Sequence, residues 1–365
     1  MKKIAYVGID YHLNSLSIAV IVGGKKKVHE TVRLKNDDKI IRKYMTKLSE
    51  QFQIRACYEA STNGYCFQRK MRAWGYQCDI IAPSLIPRKA GDHRKNDFRD
   101  ARDLAQNYAA GLLSTVHPPS EEEESVRSLI RCRLSFKEAV KKVKQQINSC
   151  LLGQDQHWKH SKWTHQHRKW LWELRMPKPY LQQVLEEHLA HLDYLETRLG
   201  YLDEQIEQIA SRAPYAPAVK KLRALKGIQT LTAMVLIAEI TDFRRFANPR
   251  ALMAFLGLIP SEDSSGDKRK DGSITKAGNW RCRTALIEAV QHYGKSPHIS
   301  AQMKSELSQV DASCADIAVK CLKRLHKRFW ALIMKGKLRP VAITAIAREF
   351  VGFIWAMMQP QPAIA

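Results

Sequence analysis

Three short apolar segments joined by tight turns open the chain, and no other feature limits its fold as much. They lie at residues 4–10, 15–22 and 28–34. Neighbouring segments of this kind pair as an antiparallel meander. Two further strand patterns, at 53–59 and 77–82, each follow a helical pattern. Strands that first form a meander and then alternate with helices predict a mixed α/β sheet.

A large excess of positive charge runs through the chain. Its 365 residues include 60 Lys and Arg against 36 Asp and Glu, which gives a formal net charge of +24. Such an excess suits a polyanionic partner, with nucleic acid first and an anionic membrane second. Because hydrophobic residues make up 45% of the sequence, a disordered protein is excluded and two or three folded domains are expected.

The sequence predicts a cytoplasmic protein without a membrane span. Its N-terminus turns polar too soon for a signal peptide. The eight cysteines form no C-x-x-C pair and are expected to be reduced thiols. The apolar run at 342–358 is interrupted by Arg348 and Glu349, so it predicts a packed helix rather than a membrane span.

Two apolar seams with coiled-coil spacing occupy the middle of the chain. A linker with an N-cap and an acidic first turn is predicted at 118–125, ahead of the first seam. The spacing favours two arrangements, one in which the seams pair between chains and one in which they form a helical hairpin within one chain. The seam residues are Phe136, Val140, Val143, Ile147 and Cys150, followed by Leu192, Leu195, Leu199, Leu202, Ile206 and Ile209.

The segment between the seams, residues 157–172, is rich in histidine, tryptophan and basic residues. Cations interleaved with aromatic rings suit stacking on single-stranded nucleic acid. The same pattern also fits an amphipathic surface segment with buried tryptophans, and both interpretations stay open. The histidines have no standard metal-ligand spacing.

A second boundary is predicted at 213–217, and mostly helical sequence follows it. The stretch at 225–228, LKGI, resembles the glycine turn of a helix-hairpin-helix, which can hold a phosphate. This signal is weak because Gln229 stands where a second glycine is usual. The remaining sequence predicts helices apart from a polar loop at 260–279.

Carboxylates in a set order mark a candidate catalytic centre. Asp10 ends the first predicted strand, Glu59 ends the fourth, and Asp97 and Asp100 share one face of a helix. Converging carboxylates repel one another unless a cation joins them, and hard oxygen ligands select Mg²⁺ or Mn²⁺. Two such ions support phosphoryl transfer. Asp103 lies on the same stripe, but pairing with Arg99 or Arg102 on a solvated face accounts for it better.

The motifs together resemble DEDD transposases of the insertion sequence 110 family, including its 1111 branch. They occur in order over about residues 4–290, which makes the set specific. The motifs are GID at 8–10, YEAS at 58–61, K-x-D-x-x-D-A at 95–101, LKGI at 225–228, AFLGLIP at 254–260, SSGDKR at 264–269 and ITKAGN at 274–279.

This resemblance implies three domains. They are an α/β RNase H-like (RuvC-like) domain at 1–117, a helical coiled-coil region at 118–212 and a mainly α-helical transposase domain at 213–365. It assigns the metal ligands to the first domain and a catalytic serine loop to the third. The implied ligands of Mg²⁺ or Mn²⁺ are Asp10, Glu59, Asp97 and Asp100.

The resemblance also implies a serine nucleophile that forms a 5′-phosphoserine link to DNA. The serine of the family precedes a glycine, so it maps to Ser265, although physical reasoning alone does not separate it from Ser264. Asp267 departs from the family pattern by placing a negative charge beside this serine. Candidate nucleic-acid contacts are the basic residues near the two sites, namely Lys268, Arg269 and Lys276, and Arg88, Lys89, Arg94 and Lys95.

Partners follow from the same resemblance. They are donor and target DNA, a structured non-coding guide RNA (a bridge or seeker RNA), and further copies of the chain as dimers that assemble into a tetramer. A bacterial or archaeal cytoplasm, in association with the nucleoid, is the expected location.

Two other functions remain open on the sequence alone. A metal-dependent structure-specific nuclease, such as a junction resolvase, would need the acids but not the serine. A non-catalytic nucleic-acid-binding protein would need neither.

Overall fold

The computed structural model describes residues 2–23, 27–61, 64–87, 96–265 and 268–359, with the side chains of residue 84 and of 262–271 excepted. The chain divides into two compact units, Met1–Pro119 and Ser120–Ala365. The predicted combination of an N-terminal mixed α/β sheet with a helical remainder is confirmed. The further division of the second unit near residue 212 stays a prediction.

A six-stranded mixed sheet with three helices makes up the first unit. The strands lie in the order β3-β2-β1-β4-β5-β6. β1, β2 and β3 pair antiparallel, β1, β4 and β5 pair parallel, and β6 pairs antiparallel with β5. The elements are β1 Lys3–Tyr11, β2 Ser15–Val22, β3 Glu30–Lys35, α1 Asp38–Gln51, β4 Phe52–Glu59, α2 Cys66–Ala73, β5 Gln77–Ile81, α3 Asp97–Ala109 and β6 Thr115–Val116.

Side-chain alternation divides the sheet into two faces. Ile9, Tyr58 and Cys78 pack in the main core with buried residues of α1 and α2. The other face packs against α3, whose Ala101 and Ala105 contact β2 and whose Leu104 contacts β4 and β5. The five predicted strands are all present. β6 was not predicted, because two residues carry no periodic signal.

α3 lies directly against β1, and Gly8 makes this possible. A Cβ atom at Gly8 would stand 2.1 Å from the carbonyl oxygen of Ala101 and 2.5 Å from the amide nitrogen of Ala105. Both distances are far inside van der Waals contact, so only glycine fits. The backbones of helix and strand therefore touch one turn after Asp97 and two residues before Asp10.

The second unit is helical apart from one β-hairpin. Its elements are α4 Glu121–Leu152, α5 His165–Glu173, α6 Pro179–Ala210, α7 Ala216–Arg223, α8 Thr230–Ile240, α9 Pro249–Phe255, β7 Pro260–Ser265, β8 Lys268–Ile274, α10 Trp280–Val290, α11 Ala301–Leu307, α12 Ala312–Met334 and α13 Arg339–Met358. The polar loop predicted at 260–279 is wrong over 260–265 and 268–274, which pair as β7 and β8 of a hairpin. The sequence there has no apolar alternation, so the usual strand signal is missing.

The two apolar seams face each other within one chain. Val140, Val143 and Ile147 of α4 pack with Leu189 and Leu192 of α6 in a single core cluster. Of the two arrangements that the sequence favoured, the structure has the intramolecular hairpin. The predicted N-cap also forms, because Ser120 and Glu123 make a reciprocal capping box at the start of α4.

The tryptophan-rich segment folds back at the end of this hairpin. His167 is fully buried, and its Nδ1 accepts a hydrogen bond of 2.9 Å from the backbone N–H of Trp163. Its ring stacks on Trp170 with centroids 5.7 Å apart, and Trp158 packs beside both. Trp158, Trp163 and Trp170 are half-buried and Trp172 is exposed, so the interpretation with buried tryptophans is met in part and contact with nucleic acid stays a prediction.

The last helix, α13, is long and apolar enough to cross a membrane by length and composition alone. In this chain it is a core helix. Ile346, Phe350 and Ile354 are buried in the main cluster of the second unit. Glu349, which interrupts its apolar run, pairs with Arg324 of α12.

We expect Gly8→Ala to destabilise the first unit by about 1–3 kcal/mol, because the added methyl group would overlap backbone atoms that no side-chain rotation can move. Amide hydrogen exchange of α3, together with denaturant unfolding, measures the effect. Gly200→Ala in α6 is the matched control, since an added methyl group there meets no atom within 4 Å. If the amides of α3 exchange at equal rates in Gly8→Ala and Gly200→Ala, the stability of α3 does not depend on its contact with Gly8.

Candidate metal centre and serine hairpin

Asp10 and Glu59 occupy neighbouring strand ends on the face that α3 covers. In the parallel register of β1 and β4, Ile9 pairs with Tyr58, and Asp10 and Glu59 are the next residues of each strand. Because side chains alternate, Asp10 shares the face of Gly8, which contacts α3. Glu59 likewise shares the face of Cys57, which packs with Leu104.

The first turn of α3 supplies the other two carboxylates. Asn96 caps the helix by accepting a hydrogen bond of 3.0 Å from the N–H of Phe98. Asp97 and Asp100 then lie in the first turn, where free N–H groups and the helix dipole favour negative charge. The contact at Gly8 directs this turn toward the end of β1.

His12 lies close to acids of both β1 and α3, and it was not among the predicted site residues. Its Nε2 lies 3.0 Å from an oxygen of Asp10 and 3.8 Å from an oxygen of Asp97. One ligand atom from each of these three residues lies within 4.8 Å of the others. The signal was present in the sequence, because His12 follows Gly8 and Asp10 at a spacing of two.

The electrostatics of the cluster are unfavourable for Asp10. Partial burial raises the pKa of its carboxyl above the ordinary value, and the charges of Asp97 and Asp100 raise it further, while His12 opposes both effects. A guanidinium nitrogen of Arg33 lies 3.5 Å from Asp97, but both side chains are too exposed for this pair to contribute much. A divalent cation would remove the repulsion among the acids.

The structure brings some predicted ligands together more closely than others. Asp10 and Asp97 share His12, and Asp100 is close enough to influence the ionisation of Asp10. For Glu59, the evidence is the sheet register, which places it at the strand end next to that of Asp10. The oxygen-rich donor set fits Mg²⁺ or Mn²⁺. The predicted nucleic-acid contacts of this unit lie outside the described residues, namely Arg88, Lys89, Arg94 and Lys95.

The predicted serine nucleophile is located by its backbone. Ser265 is the last residue of β7 and pairs with Lys268, and Ser264 pairs with Arg269. Side chains in this stretch are outside the described part, as are Gly266 and Asp267, which follow Ser265. Ser265 therefore stands at the end of the hairpin farthest from α9 and α10. Lys276, beyond β8, is exposed and has a left-handed backbone with φ of 54°.

Two glycines lock the base of the β7–β8 hairpin. Gly257 and Gly278 both have positive φ, at 65° and 92°. A Cβ at Gly257 would lie 1.9 Å from the oxygen of Ala277, and one at Gly278 would lie 2.0 Å from the oxygen of Phe255. These contacts hold the two ends of the hairpin together, and they account for the glycines of AFLGLIP and ITKAGN.

A buried carboxylate ties this base to two helices. Glu239 of α8 accepts bonds of 2.7 and 2.8 Å from Arg131 of α4, and a bond of 2.6 Å from the side-chain amide of Asn279. Asn279 also caps α10 by accepting from the N–H groups of Arg281 and Cys282. Burial opposes the ionisation of Glu239, but the bonds from Arg131 and Asn279 outweigh it and lower its pKa.

The glycine turn at 225–228 has a packing role of its own. Gly227 has a φ of 91°, and a Cβ there would lie 2.2 Å from the oxygen of Ala289 in α10. Gln229 is the N-cap of α8, but its side chain makes no capping hydrogen bond. The close approach to α10 is reason enough for the glycine, so the turn alone does not indicate a phosphate site.

A basic helix face in the second unit was also missed. Lys320, Lys323 and Lys327 follow one another at helical spacing on the exposed side of α12, and exposed Trp330 extends the row. None of the three lysines has an ion-pair partner within the described part of the chain. Their helical spacing is present in the sequence. The apolar residues Cys321 and Leu325 lie between the lysines, so the basic face was not recognised.

The chain is similar to known transposases over most of its length. Residues 7–154 match the family model DEDD_Tnp_IS110, described as a transposase, and residues 219–304 match the model of the transposase IS116/IS110/IS902 family. The putative transposase y4qE of Sinorhizobium fredii is 36% identical over 97% of this chain and 88% of its own length. The IS1533 transposase of Leptospira borgpetersenii is 30% identical over 92% and 99%.

The similarity extends to the second branch that the motifs indicated. The IS1111A transposase of Coxiella burnetii is 22% identical over 80% of this chain and 78% of its own length. The first matched range, 7–154, includes the four acids, and the second, 219–304, includes the β7–β8 hairpin and Ser265.

We expect Glu239→Gln to lower the free energy of unfolding of the second unit by about 1–3 kcal/mol, because the bonds from Arg131 lose their charged acceptor. Because folding lowers the pKa of Glu239, its contribution is present above the ordinary glutamate pKa and is lost as the pH falls through the lowered value. The melting temperature should thus depend less on pH below about pH 4 in this variant.

Thermal unfolding across pH 3–7 measures this effect. Glu288→Gln is the control, because Glu288 is exposed and its ion pair with Lys137 is long, at 3.6 Å. A wild-type pH profile retained in Glu239→Gln would show that the buried carboxylate does not stabilise the base of the hairpin.

Proposed function

The chain belongs to the IS116/IS110/IS902 family of transposases, and from this premise we propose that it is an RNA-guided, site-specific DNA transposase. It would cleave and exchange DNA strands through a 5′-phosphoserine intermediate. The observation that carries its metal-dependent chemistry is the convergence of Asp10 and Asp97, from different elements, on one imidazole. RNA guidance and the phosphoserine intermediate rest on the resemblance to the family.

The strand order supports an RNase H-like, RuvC-like fold for the first unit. A three-stranded antiparallel meander is extended by two parallel strands that follow helices, in the order β3-β2-β1-β4-β5. An acid at the end of β1, another at the adjacent end of β4 and a helix laid across them form the arrangement that such a nuclease centre requires.

The metal ligands of this function are Asp10, Glu59, Asp97 and Asp100. Bound Mg²⁺ or Mn²⁺ would stabilise charge on the attacking and leaving oxygens of the phosphodiester. The acids would orient the scissile phosphate by fixing the cation to β1, β4 and α3. The partial burial of Asp10 and the repulsion from its neighbours support this role, because both effects are relieved by a cation.

Ser265 is the proposed nucleophile. Its hydroxyl would lose its proton and its oxygen would form a bond to phosphorus while the bond from phosphorus to the 3′ oxygen breaks. The leaving 3′ oxygen would take up a proton, so the step releases no net proton. The phosphoserine bond keeps the energy of the phosphodiester, so rejoining needs no ATP. Its position at the end of a hairpin with a rigid base supports this assignment, since Gly257 and Gly278 fix the base.

DNA is the substrate of a transposase, and the remaining partners are part of the proposal. They are a structured bridge or seeker RNA that selects donor and target sites, and further copies of the chain in dimers and tetramers. The net charge of +24 supports contact with nucleic acid. Such an enzyme would act on the nucleoid in a bacterial or archaeal cytoplasm.

Covalent trapping tests this function. Wild type, Ser265→Ala, Ser264→Ala and Asp10→Asn are incubated with labelled donor and target DNA, Mg²⁺ and the co-purified RNA, and are then separated under denaturing conditions. We expect a protein–DNA adduct with wild type and Ser264→Ala, and none with Ser265→Ala or Asp10→Asn. Cleaved DNA without an adduct, unaffected by Ser265→Ala, would indicate a plain metal-dependent nuclease instead. Binding without cleavage in any sample would indicate a non-catalytic binding protein.

The exposed face of α12 is expected to contact nucleic-acid phosphates. Reversing Lys320, Lys323 and Lys327 to glutamate should weaken DNA binding and reduce the slope of log K against log salt by about 2–3, since each phosphate contact contributes about 0.9. Fluorescence anisotropy at several salt concentrations measures the slope. Reversal of the exposed Lys39, Lys43 and Lys47 on α1 is the charge-matched control. An equal loss in both would indicate an effect of net charge rather than a contact through α12.

A further inference from the structure

We propose that His12 is a nitrogen ligand of the metal centre, which makes the centre a mixed nitrogen and oxygen site that selects Mn²⁺ over Mg²⁺. This inference rests on the proposed metal-dependent function. It goes beyond that function because the four acids alone would form an all-oxygen site.

The distances at His12 suit a shared ion. In an octahedral site with bonds of about 2.1 Å, adjacent ligand atoms lie about 3.0 Å apart and opposite ones about 4.2 Å apart. The Nε2 of His12 lies 3.0 Å from Asp10 and 3.8 Å from Asp97, between these limits. An ion bound by the two acids would therefore lie within reach of the imidazole without a large movement.

The backbone of His12 is fixed by the turn that follows β1. Its N–H donates to the carbonyl oxygen of Ser15 at 3.0 Å, and its carbonyl oxygen accepts from the side-chain amide of Asn36 at 3.1 Å. The same amide donates to the oxygen of Leu13 at 3.0 Å. A loop histidine held on both sides is pre-organised in the way that a ligand requires.

Arg33, another basic side chain near the acids, differs from His12 in its ability to bind a metal. Arg33 approaches Asp97 to 3.5 Å, but a guanidinium has no lone pair to offer to a metal. Imidazole nitrogen is the side-chain donor that His12 adds to the carboxylates. Mg²⁺ prefers oxygen ligands and keeps its waters, whereas transition metals accept imidazole readily. Between the two ions that the carboxylates suit, an added imidazole nitrogen therefore favours Mn²⁺ over Mg²⁺.

Pulsed EPR of the full-length protein loaded with Mn²⁺ alone tests this inference directly. Electron spin-echo modulation from a coordinated ¹⁴N nucleus is expected in wild type and is expected to be lost in His12→Ala. His29→Ala is the matched control, because His29 is an exposed histidine of the same unit that packs on Phe52 instead. Retention of the ¹⁴N signal in His12→Ala would overturn the proposal.

Calorimetric titration with Mn²⁺ and with Mg²⁺ gives a second readout. We expect His12→Ala to lose about tenfold or more in Mn²⁺ affinity and much less in Mg²⁺ affinity, and His12→Asp to shift the preference toward Mg²⁺. If His12→Ala does not fold, His12→Gln provides the same comparison. An unchanged ratio of the two affinities would show that His12 only hydrogen-bonds Asp10. If wild type binds neither ion, the proposed metal-dependent function itself fails.

Discussion

The contact between α3 and β1 at Gly8 is the constraint on which the candidate centre depends. The acids of β1 and β4 are placed by strand register, but those of α3 come from an element far along the chain. They reach the strand ends only because a helix backbone touches a strand backbone, with no Cβ between Gly8 and Ala101. A helix packed at the usual distance would stand several ångströms farther away, and Asp97 would not share an imidazole with Asp10.

A similar close approach of backbone atoms at glycine occurs at the base of the β7–β8 hairpin. At both Gly257 and Gly278, a backbone carbonyl of the facing segment occupies the space that a side chain would need. The buried Glu239 joins this base to α4 and α10 through Arg131 and Asn279. Both proposed catalytic groups are therefore positioned by contacts between backbones. Backbone contacts leave less freedom than side-chain packing, because no rotamer change can relieve them. This rigidity suits a reaction in which the attacking atom must be aligned with a phosphorus.

Much of this architecture was predictable, and the exceptions have physical causes. Apolar segments separated by turns or helical patterns predicted the strands β1 to β5, and the motifs from GID to ITKAGN predicted the family, which is confirmed. The β7–β8 hairpin was missed because its strands are polar on both faces and depend on the base for their pairing. Helix periodicity left both arrangements of the apolar seams open, since a hairpin and an intermolecular pair require the same spacing. His12 was not predicted because it lies just beyond the end of β1, where the alternation of side chains need no longer hold.

The charge distribution explains why a strongly basic protein keeps a group of carboxylates together. Elsewhere in the described chain several acids are paired closely with bases, as in the bond of 2.6 Å between Arg133 and Asp203. Within the described residues, Arg33 lies 3.5 Å from Asp97, and because its side chain is 56% exposed, water screens its attraction for the acids. Burial and the charges of Asp97 and Asp100 still raise the pKa of Asp10, so repulsion within the group is not fully offset by these described contacts. In the proposed centre a divalent ion would offset this repulsion, and the same ion would present positive charge to a phosphate that the acids alone would repel.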